Sequence, residues 1–389
     1  MEGGGIDKYF NIFIYTRKNM IEQPIRVLQI TGGMDMGGIE NFIMNIYRNI
    51  DRNKVQFDFL IHQEKEQIFE EEIKKLGGNI YRIPSIKKIG YFNYKKELKN
   101  FFEKNKYKIV HSHYNELSGL ILKVAKKCGI KNRIAHSHTS YPTYKNFFIK
   151  IFSKFLILQL KDKNILKLAC SREAGEWLYG INSKFEIINN GVNPQEYIFN
   201  TKKRNEMREK AKLKANDIVI GHIGRFSNEK NHSFLIDIFN ELLKINENYK
   251  LLLVGDGNTR EEIEKKIKSL KLEDGIRFLG VRKDVKNILQ GLDIFILPSI
   301  FEGLPVTLVE AQGAGLKCFI SDSITKEIDL ECGLIKFIGL DKSALEWAKI
   351  IDINKEYKRE DKSLEIKKNG FDIVLSSKIL ENMYIALNK

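Results

Sequence analysis

From Ile25 onward, short apolar runs alternate with longer amphipathic stretches, the pattern of βα units laid on parallel sheets. In the first half the runs predict strands at Ile25–Ile30, Val55–Ile61, Asn79–Ile83, Tyr107–His111, Arg133–His138, Leu166–Ser171 and Phe185–Asn189. A second series follows at Asp217–Ile223, Lys250–Val254, Ile276–Leu279, Asp293–Leu297, Lys317–Ile320 and Leu334–Phe337. Between them, Asn190-Gly191-Val192-Asn193-Pro194 is a turn cluster that places a domain boundary near Pro194. The reading is α/β: two doubly wound, Rossmann-like domains at residues 25–193 and 194–370, then a C-terminal helix over 371–389 that can cross back to the first domain. A chain of 389 residues is long enough for two such cores. Residues 1–24 precede the first strand and include a second methionine, Met20; they read as a disordered lead or as sequence upstream of the true start.

In open α/β sheets ligands bind beyond the carboxyl ends of the strands, so the residues just after each run are the candidates for chemistry. The first strand runs into Thr31-Gly32-Gly33-Met34-Asp35-Met36-Gly37-Gly38, where glycines let backbone N–H groups approach an anion at a helix start. The spacing is not the dinucleotide fingerprint G-x-G-x-x-G, which argues against a nicotinamide enzyme. The fourth and fifth strands end in His111-Ser112-His113 and His136-Ser137-His138. Alternation puts the two imidazoles of a pair on one face, as a metal site needs, yet no Cys or carboxylate pattern completes a ligand set. The reading is therefore no metal, with His138, which opens into Thr139-Ser140, as a hydrogen-bonding or polarising group.

In the second domain a strand runs into Gly224-Arg225, with Lys230 five residues on, so that a guanidinium fork and an ammonium can share one diphosphate. The most specific run is Leu297-Pro298-Ser299-Ile300-Phe301-Glu302-Gly303-Leu304-Pro305-Val306-Thr307-Leu308-Val309-Glu310. Pro305 is expected in the first turn of a helix, leaving the N–H groups of Gly303 and Leu304 to meet a phosphate at its positive end. Glu310 lies five residues beyond Pro305, about 7.5 Å along a helix, which suits a ribose next to that phosphate. Glu302 suits a sugar diol on the other side of the diphosphate.

Together the glycine loop, the His pair, Gly221-x-x-Gly224-Arg225 with Lys230, Val254-Gly255-Asp256-Gly257, Phe278-Leu279-Gly280 with Asp284-Val285, and the two glutamates resemble glycosyltransferase family 4. Glu310-Ala311-Gln312-Gly313-Ala314-Gly315-Leu316 and Ser321–Glu327 look like its exopolysaccharide and capsule branch, with Lys317 where that branch usually has proline. The resemblance implies a GT-B fold, two domains facing a cleft, and a retaining transfer of a hexosyl or N-acetylhexosaminyl group. The donor would be a nucleotide diphosphate sugar, UDP-linked, and the acceptor a growing glycan or a polyprenyl-linked carrier. It implies that Glu310 holds the ribose and Glu302 the sugar, and that Arg225 and Lys230 neutralise the leaving diphosphate. Gly37, Gly38, Gly303 and Leu304 would border the donor, and His138 would lie near the reacting sugar. No Asp-x-Asp occurs, in keeping with protein cations in place of a metal and with no cofactor. Two alternatives stay open: a nucleotide-sugar epimerase or hydrolase on the same fold, and a non-catalytic nucleotide-sugar-binding partner of a synthesis complex.

Charge adds a possible surface. The net charge is +15, and residues 74–167 carry 22 basic against 4 acidic side chains, so this region is expected to face a polyanion. Without a nucleic-acid-binding module, anionic lipid is the better partner. Within Tyr144–Lys167, phenylalanines alternate with Lys145, Lys150, Lys154 and Lys161, as in a helix lying on lipid. Its apolar residues encircle much of the helix, which favours packing on its own sheet instead. The four cysteines are scattered, and neither a signal peptide nor a run of ~20 apolar residues occurs. The expected location is the cytoplasm, with peripheral contact at the inner face of the membrane.

Overall fold

The computed structural model describes residues 23–35, 37–139 and 146–389. Residues 1–22 of the lead, Met36 of the glycine loop, and residues 140–145, with Ser140, Tyr144 and Lys145, lie outside the described residues. The expected strands form, each within about two residues of its predicted bounds. In the first sheet these are β1 (Ile25–Ile30), β2 (Val55–Ile61), β3 (Ile80–Arg82), β4 (Ile109–Ser112), β5 (Asn132–Ser137), β6 (Ile165–Ala169) and β7 (Glu186–Ile187), in the order β3-β2-β1-β4-β5-β6-β7. The second holds β8 (Ile218–Ile223), β9 (Tyr249–Val254), β10 (Ile276–Gly280), β11 (Ile294–Leu297), β12 (Lys317–Ser321) and β13 (Ile335–Ile338), in the order β10-β9-β8-β11-β12-β13.

Alternation along the strands divides the second core into two layers. Val219, Leu252, Phe295 and Leu297 point to the face covered by the helix Val306–Gly313. Ile220, Leu251, Leu253, Ile294 and Ile296 point to the other, covered by the helices His232–Ile245 and Ala344–Asn354. Strand order reverses between β8 and β11, which pair in parallel with Ile294 opposite Ile220, and a switch point of this kind opens a crevice at the carboxyl ends.

By their contacts the residues group into two compact units. One comprises the described residues up to Ala135, with Phe152–Leu166 and Ser377–Lys389; the other comprises the described part of His136–Ile151 and Lys167–Ser376. Pro194 lies inside the second unit, because the chain before it is tied to residues 369–373: Val192 N donates to Phe371 O at 2.8 Å and Ile373 N to Val192 O at 3.0 Å. The helix Ile373–Asn388 ends within the first unit, where Asn132 Nδ2 donates to Leu387 O at 2.6 Å and the Tyr384 hydroxyl lies 2.7 Å from His111 Nδ1.

The basic helix departs from the packing expected of it. In Phe147–Leu158 only Ser153 and Leu156 are buried, while Phe147 is 69% and Phe148 78% exposed. Its closest contact with the fold is at one turn, where a Cβ on Gly119 would run into the Leu156 carbonyl, and Phe152 meets Tyr91 edge-on at 5.9 Å.

Candidate active site

Two loops leave adjacent strands at the β8/β11 switch point and carry most of the predicted groups. The first follows β8. Gly224 N donates to Val254 O and Phe226 N to Asp256 O, both at 3.0 Å, which pins the loop against the turn after β9. Gly255 in that turn has φ +132°, and a Cβ on it would run into the Gly224 carbonyl, so only glycine permits this approach. Arg225 projects from the pinned loop, exposed, and its guanidinium has no hydrogen-bond partner among the described residues. Beneath it, the buried His232 ring stacks on Phe226 at 4.1 Å and meets His222 edge-on at 4.5 Å. Burial, with the Lys230 charge close by, lowers His232 to about 4 and His222 well below the usual range, so both rings are neutral near pH 7.

Asn231, in the left-handed region at φ 56°, joins the first loop to the second, donating through Nδ2 to Pro298 O at 3.1 Å. Ile300 N donates to Glu229 O at 2.8 Å. This staple brings Lys230 to Glu302: Nζ donates to Oε1 at 2.6 Å, with the side chains only 18% and 10% exposed. Ser299 Oγ donates to the same oxygen at 2.7 Å. Pro305 is the N-cap, one place before the first turn in which it was expected, and no side chain caps the helix Val306–Gly313. The first turn carries no acidic side chain to offset the positive end of the dipole, and a Cβ on Gly303 would meet nothing within 4 Å.

Glu310 lies in the same helix, and its Oε1 accepts the Tyr197 hydroxyl at 2.8 Å. Enclosure raises this carboxyl to about 7, against the lowering effect of the tyrosine. Ser299 and Tyr197 contact the candidate carboxylates, and Thr307, whose hydroxyl oxygen is buried without a partner among the described residues, lies in the same helix as Glu310; the sequence does not single out these three. Ser299 lies inside the motif that was read; nothing in sequence ties Tyr197 to Glu310.

The remaining predicted positions lie apart from these loops in the chain. His138 follows β5 and stacks on His136 at 4.2 Å; burial lowers it to about 3, so it is a neutral imidazole. His111 Nδ1 is taken by Tyr384, and His113 Nε2 lies 2.8 Å from Gln29 Oε1. In the first unit Gly37 is the N-cap of the helix Gly38–Asn49, and space around Gly38 is open.

Two parallel, doubly wound sheets, with cations, carboxylates and an uncapped helix end gathered at a switch point, define a glycosyltransferase of the GT-B class. The chain belongs to glycosyltransferase family 4: the sequence model described by that name matches residues 36–196, and the one described as glycosyl transferases group 1 matches residues 203–331. The EpsF protein of Bacillus subtilis is 34% identical over 333 residues, covering 84% of this chain and 86% of its own. The UDP-Gal:alpha-D-GlcNAc-diphosphoundecaprenol alpha-1,3-galactosyltransferase of Escherichia coli is 25% identical over 317 residues, 74% and 78% of the two chains. Among solved structures, Anabaena HepE in complex with UDP and glucose superposes with a TM-score of 0.67 at 16% identity, covering 94% of this chain and 97% of its own. That likeness is one of fold.

Proposed function

We propose that this glycosyltransferase transfers a sugar, with retention of configuration, from a UDP-sugar to a growing glycan or polyprenyl-linked acceptor in surface polysaccharide synthesis. The observation that carries the reading is that the loop bearing Arg225 and Lys230 is stapled, at one switch point, to the loop that leads through Gly303 into an uncapped helix. Glycosyl transfer is difficult because a diphosphate leaves while the sugar gains oxocarbenium character. Two cations and a helix dipole aimed at the leaving group stabilise that charge as it develops, without reorganising. The acceptor oxygen attacks the anomeric carbon from the leaving-group side as the bond to the diphosphate breaks, and a phosphate oxygen takes the acceptor's proton. In this assignment Glu310 holds the ribose and Glu302 the sugar, His138 lies near the reacting carbon, and the Gly37–Gly38 backbone borders the donor. Residues 25–193 take the acceptor and 194–370 the donor. The polyprenyl-linked acceptor and the uridine nucleotide draw support from the name of the Escherichia coli relative.

Two side-chain cations and a dipole carry about the charge of one divalent ion, so turnover is expected to need no metal. The test is a panel of nucleotide sugars assayed for nucleotide release with acceptor, with and without EDTA. UDP-sugar turnover that survives EDTA is the expected outcome. Loss on chelation with recovery on Mg²⁺ or Mn²⁺ would move His111, His113, His136 and His138 into a metal-binding role. Nucleotide release indifferent to acceptor would favour a hydrolase.

Membrane contact, in this reading, is peripheral. Among the described residues no helix is long and apolar enough to cross a membrane. The helix Phe147–Leu158 instead presents exposed Phe147, Phe148, Ile151 and Leu158 beside Lys150 and Lys154, a face suited to an anionic lipid surface. Flotation with anionic vesicles at low salt is expected, and it should be lost with neutral vesicles or at high salt; equal binding to both vesicle types counts against the assignment.

A further inference from the structure

We propose that Tyr197 is a positioning residue for the donor, its hydroxyl fixing the Glu310 carboxylate so that one oxygen stays turned to the ribose diol; this rests on reading Glu310 as the ribose-binding group. Among the described residues the Tyr197 hydroxyl, at 2.8 Å from Oε1, is the one hydrogen-bond donor to that side chain. A carboxylate oxygen pair accepts on both atoms, so tethering Oε1 leaves Oε2 for a ligand hydroxyl. Without the tether, a glutamate with three rotatable side-chain bonds would lose that freedom only on binding, and the nucleotide would bear the entropic cost.

Tyr197 is built to act as a fixed post. It ends the short helix Pro194–Tyr197, which the Asn193 side chain caps by accepting from Gln195 N at 3.2 Å. Its carbonyl accepts from Gln290 Nε2 at 3.1 Å, which anchors the backbone as well. Its ring is buried in the apolar layer under the Val306–Gly313 helix. A Cβ on Gly313 of that helix would lie 2.7 Å from Ile366 Cδ1 and 3.3 Å from the Tyr197 Cβ, so the glycine makes room for both side chains beside the helix that bears Glu310. A phenylalanine at 197 would keep this packing and delete only the hydroxyl.

The experiment measures UDP and 2′,3′-dideoxyuridine 5′-diphosphate binding by calorimetry to the full chain and to Tyr197→Phe, with melting temperatures as a control on folding. The expected result is that Tyr197→Phe weakens UDP about tenfold, the scale of one hydrogen bond, and leaves the dideoxy nucleotide within about twofold. In turnover the donor KM rises and kcat holds, as for an interaction equally present in ground and transition states. An equal loss for both nucleotides would mean that Tyr197 acts through packing, and no loss for either would remove it from the site; each overturns the proposal. A parent chain that fails to bind UDP overturns the uridine donor, and one that binds the two nucleotides alike overturns the ribose assignment of Glu310; either takes the proposal with it.

Discussion

Arg225→Ala is expected to lower kcat about 100-fold or more while the donor KM moves only a few fold. A group that meets the diphosphate most strongly once the glycosidic bond is breaking contributes to the transition state beyond its contribution to the bound ground state, and losing it therefore appears in kcat. The loop bearing Arg225 is pinned at Gly224 and Phe226 on either side of it, so the guanidinium is delivered by a rigid backbone. It makes no hydrogen bond to the described protein, so the melting temperature of the variant should match that of the parent. That pairing of a large kinetic loss with unchanged stability separates a catalytic cation from a structural one. Lysine at 225 should recover only part of the rate, since a point charge cannot present the planar fork of donors. A loss below tenfold would take Arg225 out of the site.

The strands of the second sheet were legible because both of its faces are covered, and strands buried on two sides read as continuous apolar runs such as Leu251-Leu252-Leu253. The loop glycines, Arg225, Lys230 and Glu302 stood out as candidates because each lies in a loop after such a run, and Glu310 because it falls in the helix that follows. What lies opposite a residue in space was not. Tyr197 meets Glu310 across 113 positions of sequence, and Lys230 meets Glu302 across 72, pairings that strand order makes and periodicity does not encode. The same gap explains the helix Phe147–Leu158. An all-round apolar pattern says that the helix has apolar surface to cover, and how much of it the fold covers depends on partners elsewhere in the chain, such as Gly119. The tethering of His111 by Tyr384, across 273 positions, is of the same kind.

Lys230 is expected to differ from Arg225 in a way that this pairing dictates. Its ammonium neutralises Glu302, and both side chains are largely buried. In the proposed mechanism the diphosphate supplies Lys230 with a second anion, and Glu302 becomes available to the hydroxyls of the sugar, so the ion pair is exchanged for two contacts to the donor. Lys230→Ala should therefore lose about 100-fold or more in kcat, as a cation on the leaving group should. It should also lose stability, because Glu302 is left nearly buried beside Ser299 with its countercharge gone. Removing one partner of a buried pair costs about 3 kcal/mol or more, which corresponds to roughly 6 °C in melting temperature. The double variant Lys230→Ala/Glu302→Ala removes both charges and should regain most of that melting temperature while remaining inactive. Calorimetric unfolding of the two variants beside their turnover decides the matter. If the double variant melts no higher than Lys230→Ala, the pair is not what holds these loops, and if Lys230→Ala keeps its rate, the leaving group is neutralised elsewhere.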